Sequence, residues 1–337
     1  QEESYGDAAA AILLGNTDII SSLEGFSFIS YDFMDHWRAD TDEFDRSWED
    51  RWIRDEGYTK FIPEAISRLA KKINFNVKDV TKACYPCLYL REHEIIGKSL
   101  GLSPDQIQEH MFTTVGNTGT AYPLLILVSA LEDANPGDNI ILASYGAGSD
   151  ALLFKATEKI NTVGKKGSKK YLVSKKYLDS YEKYCTFRDT IPIEKGIRGE
   201  EIRPTATSVL WRERKGLLGL VGSRCKRCGT PQFPRQDVCV NPDCGAVNEM
   251  EEYNFSDKKS HLVSYTEDHL TFTPIPPAIY GIINFDGGGR YIFDITDCEP
   301  GTLKVGMPMK MNFRRKYVDK ARGIHNYFWK GIPIKEE

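Results

Sequence analysis

Four cysteines are the feature of this sequence that most constrains its fold. They form two short knuckles, Cys225-Lys-Arg-Cys228 and Cys239-Val-Asn-Pro-Asp-Cys244, and a glycine follows each knuckle. Glycine fits the tight turns in which backbone N–H groups approach sulfur. Four thiolates in two such knuckles are the usual ligands of tetrahedral zinc, and two disulfides or four unrelated thiols are the alternative. Because four cysteines leave no open coordination position, we predict a structural zinc ribbon rather than a catalytic metal.

Length and composition exclude several classes of protein. A chain of 337 residues is long enough for two or three domains. Its formal net charge of −4 gives no reason to expect a nucleic-acid partner. No apolar run reaches the ~18 residues of a membrane-spanning helix, and no signal peptide is recognisable. Cysteines used in a zinc pattern rather than a disulfide framework are typical of the reducing cytoplasm, which is the location we predict.

Residues 1–157 alternate between apolar segments that we interpret as strands and helices. Ala8–Leu14 and Asn139–Ser144 are short apolar runs typical of buried strands. Pro63 is interpreted as the opening of a helix, because apolar residues follow it at helical spacing. Tyr122–Leu131 is apolar almost all round, which indicates a helix buried in a core. This alternation predicts an α/β domain.

The rest of the chain divides into three further segments. Residues 158–205 are predicted to be a basic linker with a solvated lysine face, and attraction of the phosphates of an acyl carrier is the alternative role. Residues 206–250 hold a helix and the zinc ribbon, and residues 251–337 contain several short strands that suit a small OB-fold barrel. The linker lysines are Lys165, Lys166, Lys169, Lys170, Lys175 and Lys176.

Two glycine-rich motifs in the first segment point to chemistry. The asparagine motif, Gly116-Asn117-Thr118-Gly119, precedes the buried helix, and the glycine turn, Ser144 to Ser149, lies between two strands. A glycine-rich turn lets a backbone N–H point into a cleft, where it can serve as half of an oxyanion hole for acyl transfer. The side-chain amide of an asparagine at a helix start can donate to the same substrate carbonyl oxygen or enolate. A plain helix cap and ordinary turn residues are the alternative.

These motifs resemble those of the C-terminal half of thiolase-superfamily condensing enzymes. The closest likeness is to hydroxymethylglutaryl-CoA synthases and type III ketoacyl-ACP synthases, in the asparagine motif, the glycine turn and Tyr5-Gly6-Asp7-Ala8-Ala9-Ala10. Tyr31-Asp32-Phe33 and Trp48-Glu49-Asp50-Arg51 resemble the first of these two families. The cysteine knuckles, Phe233-Pro234-Arg235 and Val263-Ser264-Tyr265-Thr266 resemble the zinc-ribbon and OB-fold proteins that accompany acyl-CoA thiolases and synthases. The implied fold is a thiolase-like half-domain, a rubredoxin-like zinc ribbon and an OB-fold barrel.

The resemblance implies Claisen-type acyl transfer, as condensation or thiolysis, with a coenzyme A thioester as substrate and a cysteine nucleophile. By position, Asn117 is the asparagine of the family's site, and Gly146 and Ala147 form the oxyanion turn. The family's cysteine belongs to an N-terminal half, so a missing N-terminal half or a partner chain is expected to carry it. A dimer of such pairs is also expected. The other residues of the two motifs that are expected to bind substrate are Gly116, Ser144 and Gly148.

The family's histidine is expected near residues 84–87, where this chain reads Cys84-Tyr85-Pro86-Cys87. We expect Cys84 and Cys87 to be buried packing residues at a strand end, with a redox pair or a second metal site as the alternative. His93 has acidic neighbours, which favours a solvated helix residue over a catalytic one. The other histidines, His36 among them, show no ligand spacing.

Two functions from different classes remain open. The first is a subunit or fragment of an acyl-CoA C-acyltransferase, similar to hydroxymethylglutaryl-CoA synthase, whose nucleophile comes from another chain. The second is a non-catalytic scaffold that binds a separate thiolase and channels acyl-CoA. The chain begins with Gln1 and runs at once into an apolar segment, which is typical of a processed product, a split subunit or a fragment.

Overall fold

The computed structural model describes residues 3–162, 168–173, 175–192, 194, 204–273 and 275–334, apart from the side chain of Lys170. The chain forms two compact units, Gln1–Val173 and Ser174–Glu337. The boundaries predicted for the four segments remain predictions. Of the predicted linker, Lys165 and Lys166 lie outside the described residues. Lys169 and Lys176 are ion-paired with Asp133 and Glu299, respectively.

A four-stranded mixed sheet is the frame of the first unit. Its strands lie in the order β1-β6-β5-β4, antiparallel except for the parallel pair β4 and β5. A separate two-residue hairpin pairs β2 with β3. The strands of this unit are β1 (Ser21–Ser30), β2 (His36–Trp37), β3 (Arg46–Ser47), β4 (Lys82–Cys84), β5 (Asn139–Ala143) and β6 (Gly148–Ala156).

Helices cover both faces of this sheet. Successive side chains of a strand point to opposite faces, so Ile141 and its neighbour Ile140 belong to different cores. Ile141 packs in one apolar cluster with residues of helix α2, and Ile140 packs in another with residues of α5. The helices are α1 (Asp50–Trp52), α2 (Thr59–Ile73), α3 (Leu90–Ser99), α4 (Phe112–Val115), α5 (Tyr122–Asp133) and α6 (Ser168–Val173), with a π-helical segment, Ile53–Tyr58, before α2.

Two secondary-structure predictions for this unit are wrong. Ala8–Leu14 is not a buried strand: it has no strand neighbour, and Leu13 and Leu14 are 98% and 87% exposed. The edge strand of the sheet is β1 instead. Its serines and Gly25 interrupt the apolar pattern by which a buried strand is recognised in a sequence. The helix at Pro63 begins earlier, at Thr59. Pro63 therefore lies inside the helix, and the π-helical segment Ile53–Tyr58 leads directly into it.

The second unit contains a small sheet and a five-stranded barrel-like sheet. The small sheet has the order β8-β7-β9, from strands Pro231–Gln232, Val221–Cys225 and Met250–Asn254. The larger has the order β12-β11-β10-β13-β14, and a parallel bridge between Ile295 and Gly331 joins its two edges. This closure confirms the predicted OB-fold arrangement. Its strands are β10 (Ser260–Asp268), β11 (Ala278–Phe285), β12 (Arg290–Asp294), β13 (Pro308–Asp319) and β14 (Ile324–Pro333).

Short helices precede these sheets in the second unit. They are α7 (Tyr181–Phe187), α8 (Thr207–Arg212) and α9 (Arg214–Gly219). The barrel core is apolar and rich in aromatic rings, with Leu262, Ile283 and Phe293 almost fully buried. Across the part of the chain that the structure describes, no helix combines the length and the apolar character needed to span a bilayer.

The glycine turn between β5 and β6 is the tightest point of the first sheet. Gly148 has φ = +124°, and a Cβ atom there would lie 2.0 Å from the carbonyl oxygen of Ile29. Gly146 has no such constraint, because a Cβ atom there would meet nothing within 4 Å. The close approach of β6 to β1 therefore requires glycine at only one of these two positions.

We expect Gly148→Ala to lower the free energy of unfolding of the first unit by about 3 kcal/mol, because strain at φ and a backbone clash act together. Gly146→Ala is the matched control and should cost less than about 1 kcal/mol. Hydrogen exchange measured by mass spectrometry on peptides from residues 139–156 localises the effect. Equal protection of these peptides in the two variants would contradict the prediction.

Candidate functional site

One cavity of about 720 Å³ in the first unit brings the two predicted motifs together. Asn117 and Gly119 line it from the asparagine motif, and the whole glycine turn lines it from the other side. Gly116 is not part of the lining. It has φ = +73°, and a Cβ atom there would lie 2.9 Å from the carbonyl oxygen of Ser4. Glycine at this position therefore lets the backbone next to Asn117 pack against Ser4.

A short backbone bridge to the start of the chain holds Asn117. Its N–H donates to the carbonyl of Ser4 at 2.7 Å, and its own carbonyl accepts from the N–H of Gly6 at 3.0 Å. The Asn117 Oδ1 atom accepts from the N–H of Gly119 at 3.0 Å. This bond fixes the orientation of the amide, so the Nδ2 group is the donor that remains for a ligand.

The glycine turn is closed by its own hydrogen bonds. The N–H of Ser144 donates to the carbonyl of Asp150 at 2.8 Å. Gly146 and Gly148 each donate to the other's carbonyl, at 3.0 and 2.7 Å. No group among the described residues accepts from the N–H of Ala147. Ala147, rather than Gly146, therefore offers a free backbone donor in this turn.

An acidic residue and a histidine that the sequence analysis set aside also line the cavity. His36 Nδ1 lies 3.2 Å from the Asp35 carboxylate, on the short strand β2. The contact with the Asp35 carboxylate raises the pKa of His36, although partial burial opposes it. Partial burial would raise the pKa of Asp35, but the neighbouring imidazole of His36 contributes to lowering that pKa. No repeated spacing signals this pair in the sequence, because its members are neighbours.

The place expected for the family's histidine is filled by apolar packing. Cys84 ends strand β4, and both Cys84 and Cys87 are fully buried. Burial raises the pKa of both thiols, that of Cys87 to about 12, so they stay protonated at neutral pH. These cysteines are packing residues, as predicted.

The prediction that His93 is solvated is wrong. Its side chain is only 4% exposed, since it lies on the face of α3 that also buries Ile96. Burial lowers its pKa to about 4, with a smaller contribution from His110, whose ring lies 5.5 Å away. His93 is therefore neutral at physiological pH, and it is not part of the cavity lining. Its acidic sequence neighbours occupy other faces of the helix and say nothing about the burial of His93.

The second unit brings the four predicted metal ligands together. Their Sγ atoms all lie within 4.8 Å of one another. The pairs Cys225–Cys244 and Cys228–Cys239 are 3.7 and 3.5 Å apart. A tetrahedron with metal–sulfur bonds of ~2.3 Å has edges of about 3.8 Å, so the cluster fits zinc. The knuckles turn at Gly229 and Gly245, which have positive φ angles, as the tight turns require.

Family models match three parts of the chain. Residues 70–154 match the C-terminal part of 3-oxoacyl-[acyl-carrier-protein] synthase III. Residues 217–248 match the rubredoxin-like zinc ribbon domain of ChsH2, and residues 255–314 match its C-terminal OB-fold domain. These matches confirm the predicted fold class: a thiolase-like segment followed by a zinc ribbon and an OB-fold.

Curated proteins match the two parts of the chain separately. A hydroxymethylglutaryl-CoA synthase from Methanopyrus kandleri is 30% identical over 192 residues, which are 56% of this chain and 54% of that enzyme. The chain thus spans about half the length of the hydroxymethylglutaryl-CoA synthases that it matches. Among solved structures, an Ltp2-ChsH2(DUF35) aldolase has 18% sequence identity and a TM-score of 0.30, over 40% of this chain and 98% of that one.

A DUF35 domain-containing scaffold protein from Methanocaldococcus jannaschii is 34% identical over 128 residues, which are 37% of this chain and 89% of that protein. The likeness therefore extends over nearly the whole of the archaeal protein and over little more than a third of this chain. The chain belongs to the family of DUF35 domain-containing scaffold proteins.

Proposed function

We propose that the chain is a subunit of an acyl-CoA C-acyltransferase, in which the Asn117 amide and the N–H of Ala147 hold the oxygen of a thioester. The observation that carries this proposal is that both groups line one cavity and both are free to donate. The likeness to hydroxymethylglutaryl-CoA synthases supports this type of acyl transfer. The substrate is a coenzyme A thioester, and the reaction is a Claisen-type condensation or its reverse.

Two fixed donors suit the charge that develops in this reaction. Attack on a thioester, or removal of its α-proton, places negative charge on the carbonyl oxygen. The Gly119 N–H fixes the Asn117 amide, and the hydrogen bonds of the glycine turn fix Ala147, so neither donor must reorganise. In this proposal Gly146 and Gly148 shape the turn, Gly116 supports Asn117, and Ser144 anchors the turn through the N–H of Asp150.

The nucleophile in this proposal is a cysteine of a partner chain. No cysteine lines the cavity among the described residues of the first unit, and Cys84 and Cys87 are buried and protonated. Among the described residues, no strand lies beside the outer edge of β1, and Phe26 and Phe28 on this strand are exposed. A thiolase-like partner that continues the sheet at β1 would cover them, and two such pairs would form the dimer that the resemblance implies.

A scaffold without catalysis of its own is the second candidate function. It is favoured by the likeness to DUF35 scaffold proteins and by the buried Cys84 at the place expected for a catalytic histidine. In that case the partner is a complete thiolase, and the cavity of this chain carries no reaction.

The zinc proposal assigns one metal ion per chain to Cys225, Cys228, Cys239 and Cys244. We expect Cys228→Ser to abolish zinc binding and to unfold the ribbon, because metal binding supplies much of the folding energy of such modules. Cys185→Ser, at a buried thiol of α7, is the control and should keep its zinc. Elemental analysis of the purified proteins measures the molar ratio of zinc to protein chain. One zinc per chain in the Cys228 variant would contradict this assignment.

For the acyl site, we expect Asn117→Ala to lower the rate of acyl transfer by the assembled complex about 100-fold. The lost amide donor stabilises the developing oxyanion, so kcat should fall more than KM changes. Asn135→Ala removes an exposed amide outside the cavity and should leave the rate unchanged. A normal rate for the Asn117 variant, with its fold intact, would favour the scaffold function.

A further inference from the structure

We propose that His36, held by Asp35, is the group that moves protons in the cavity, and that it does so in place of a histidine at residues 84–87. The inference rests on the proposed acyl transfer and deepens it, because it assigns the base that removes the α-proton of the thioester. His93 and His110, the other histidines of the first unit, do not line the cavity.

The short contact with the Asp35 carboxylate selects the reactive nitrogen of the imidazole. Nδ1 of His36 lies 3.2 Å from the Asp35 carboxylate, so this nitrogen carries the hydrogen and Nε2 carries the free electron pair. The Asp35 side chain is only 14% exposed, and its backbone carbonyl accepts from the N–H of Trp48 at 2.9 Å. The carboxylate thus lies on a fixed backbone and holds the ring in one tautomer.

The hairpin that carries His36 is anchored by aromatic packing. β2 pairs with β3, with His36 opposite Ser47. The rings of Trp37 and Trp48 lie 5.9 Å apart, and Trp48 lies 6.1 Å from Trp52 on α1. This packing connects the hairpin to helix α1. A residue that exchanges protons with a bound substrate must be held in a fixed position, and this connection helps to hold His36.

Four other titratable groups of the lining are poorly suited to this task. Burial raises the pKa of Tyr58, Tyr122 and Tyr145, so these phenols stay protonated. The pKa of Asp35 is lowered despite its partial burial, so this carboxylate remains ionised. His36 is the group whose charge changes near neutral pH, and it faces Asp35, Asp45 and Asp50, which all favour its protonated form.

In the proposed step, one proton passes through His36 while a C–C bond replaces a C–S bond. Nε2 of His36 takes a proton from the carbon next to the thioester carbonyl, and the C–H electron pair forms an enolate whose oxygen is held by Asn117 and Ala147. The enolate carbon attacks the acyl carbon on the partner's cysteine, and a C–C bond forms as the C–S bond breaks. The cysteine leaves as thiolate and takes the proton from His36.

The α-proton step can be measured apart from condensation. The assembled complex is incubated with acetyl-CoA in D₂O, and deuterium entry into the methyl group is followed by mass spectrometry. We expect His36→Gln to slow this exchange about 100-fold, while His269→Gln, at an exposed histidine of the second unit, has no effect. Asp35→Asn removes the charge that raises the pKa of His36. In this variant His36 should lose its proton at a lower pH, so the exchange rate should begin to increase at a lower pH than in the wild type.

The outcomes separate this inference from the proposed function. Exchange that persists in His36→Gln but is lost in Asn117→Ala overturns the role of His36 and leaves the acyl site standing. Exchange absent from the wild-type complex overturns both. A second measurement does not depend on activity: NMR titration of His36 should give a pKa above its ordinary value, and Asp35→Asn should lower it. An unchanged titration in that variant overturns the pairing of Asp35 with His36.

Discussion

The backbone of β6 passes so close to that of β1 that no side chain fits between them at Gly148, and the rest of the cavity depends on this approach. It fixes the glycine turn above the end of β1, where the N–H of Tyr31 donates to the carbonyl of Ala147 at 3.1 Å. Ala147 lines the cavity, and its N–H has no acceptor among the described residues. The chain that continues from Tyr31 then brings Asp35 and His36 to the same cavity.

A second close approach, at the start of the chain, positions the other donor. A Cβ atom at Gly6 would lie 1.7 Å from the carbonyl oxygen of Val115, so the segment before the apolar run can lie directly against the asparagine motif. The first constraint leaves the N–H of Ala147 without an acceptor among the described residues, and the second positions Asn117, whose Nδ2 group remains as a donor. The second unit has a separate role: its four cysteines hold a metal that shapes a ribbon, and four thiolates leave no position for substrate.

The sequence predicts best the features that short-range chemistry determines. The cysteine knuckles and the short strands of the barrel need only local spacing and turn residues. The meeting of Asn117 with the glycine turn follows from the family resemblance, because the two motifs lie far apart in the sequence. Ala8–Leu14 was mistaken for a strand because an apolar composition does not say whether a neighbouring strand is present. His93 was misplaced because its charged neighbours in sequence lie on other faces of α3. His36 was missed because its partner is the adjacent Asp35, a dipeptide that carries no signal until the fold places it in a cavity.

The central claim is that this cavity becomes a working acyl-transfer site only when a partner chain adds a cysteine. The most direct test is to alkylate the native complex with iodoacetamide, with and without acyl-CoA, and to locate the labelled cysteines by mass spectrometry. The account predicts one reactive cysteine on the partner, protected by acyl-CoA and cross-linkable to residues around Asn117. A compact monomer of this chain alone, or a protected cysteine in a complete thiolase that works equally well without this chain, would contradict it.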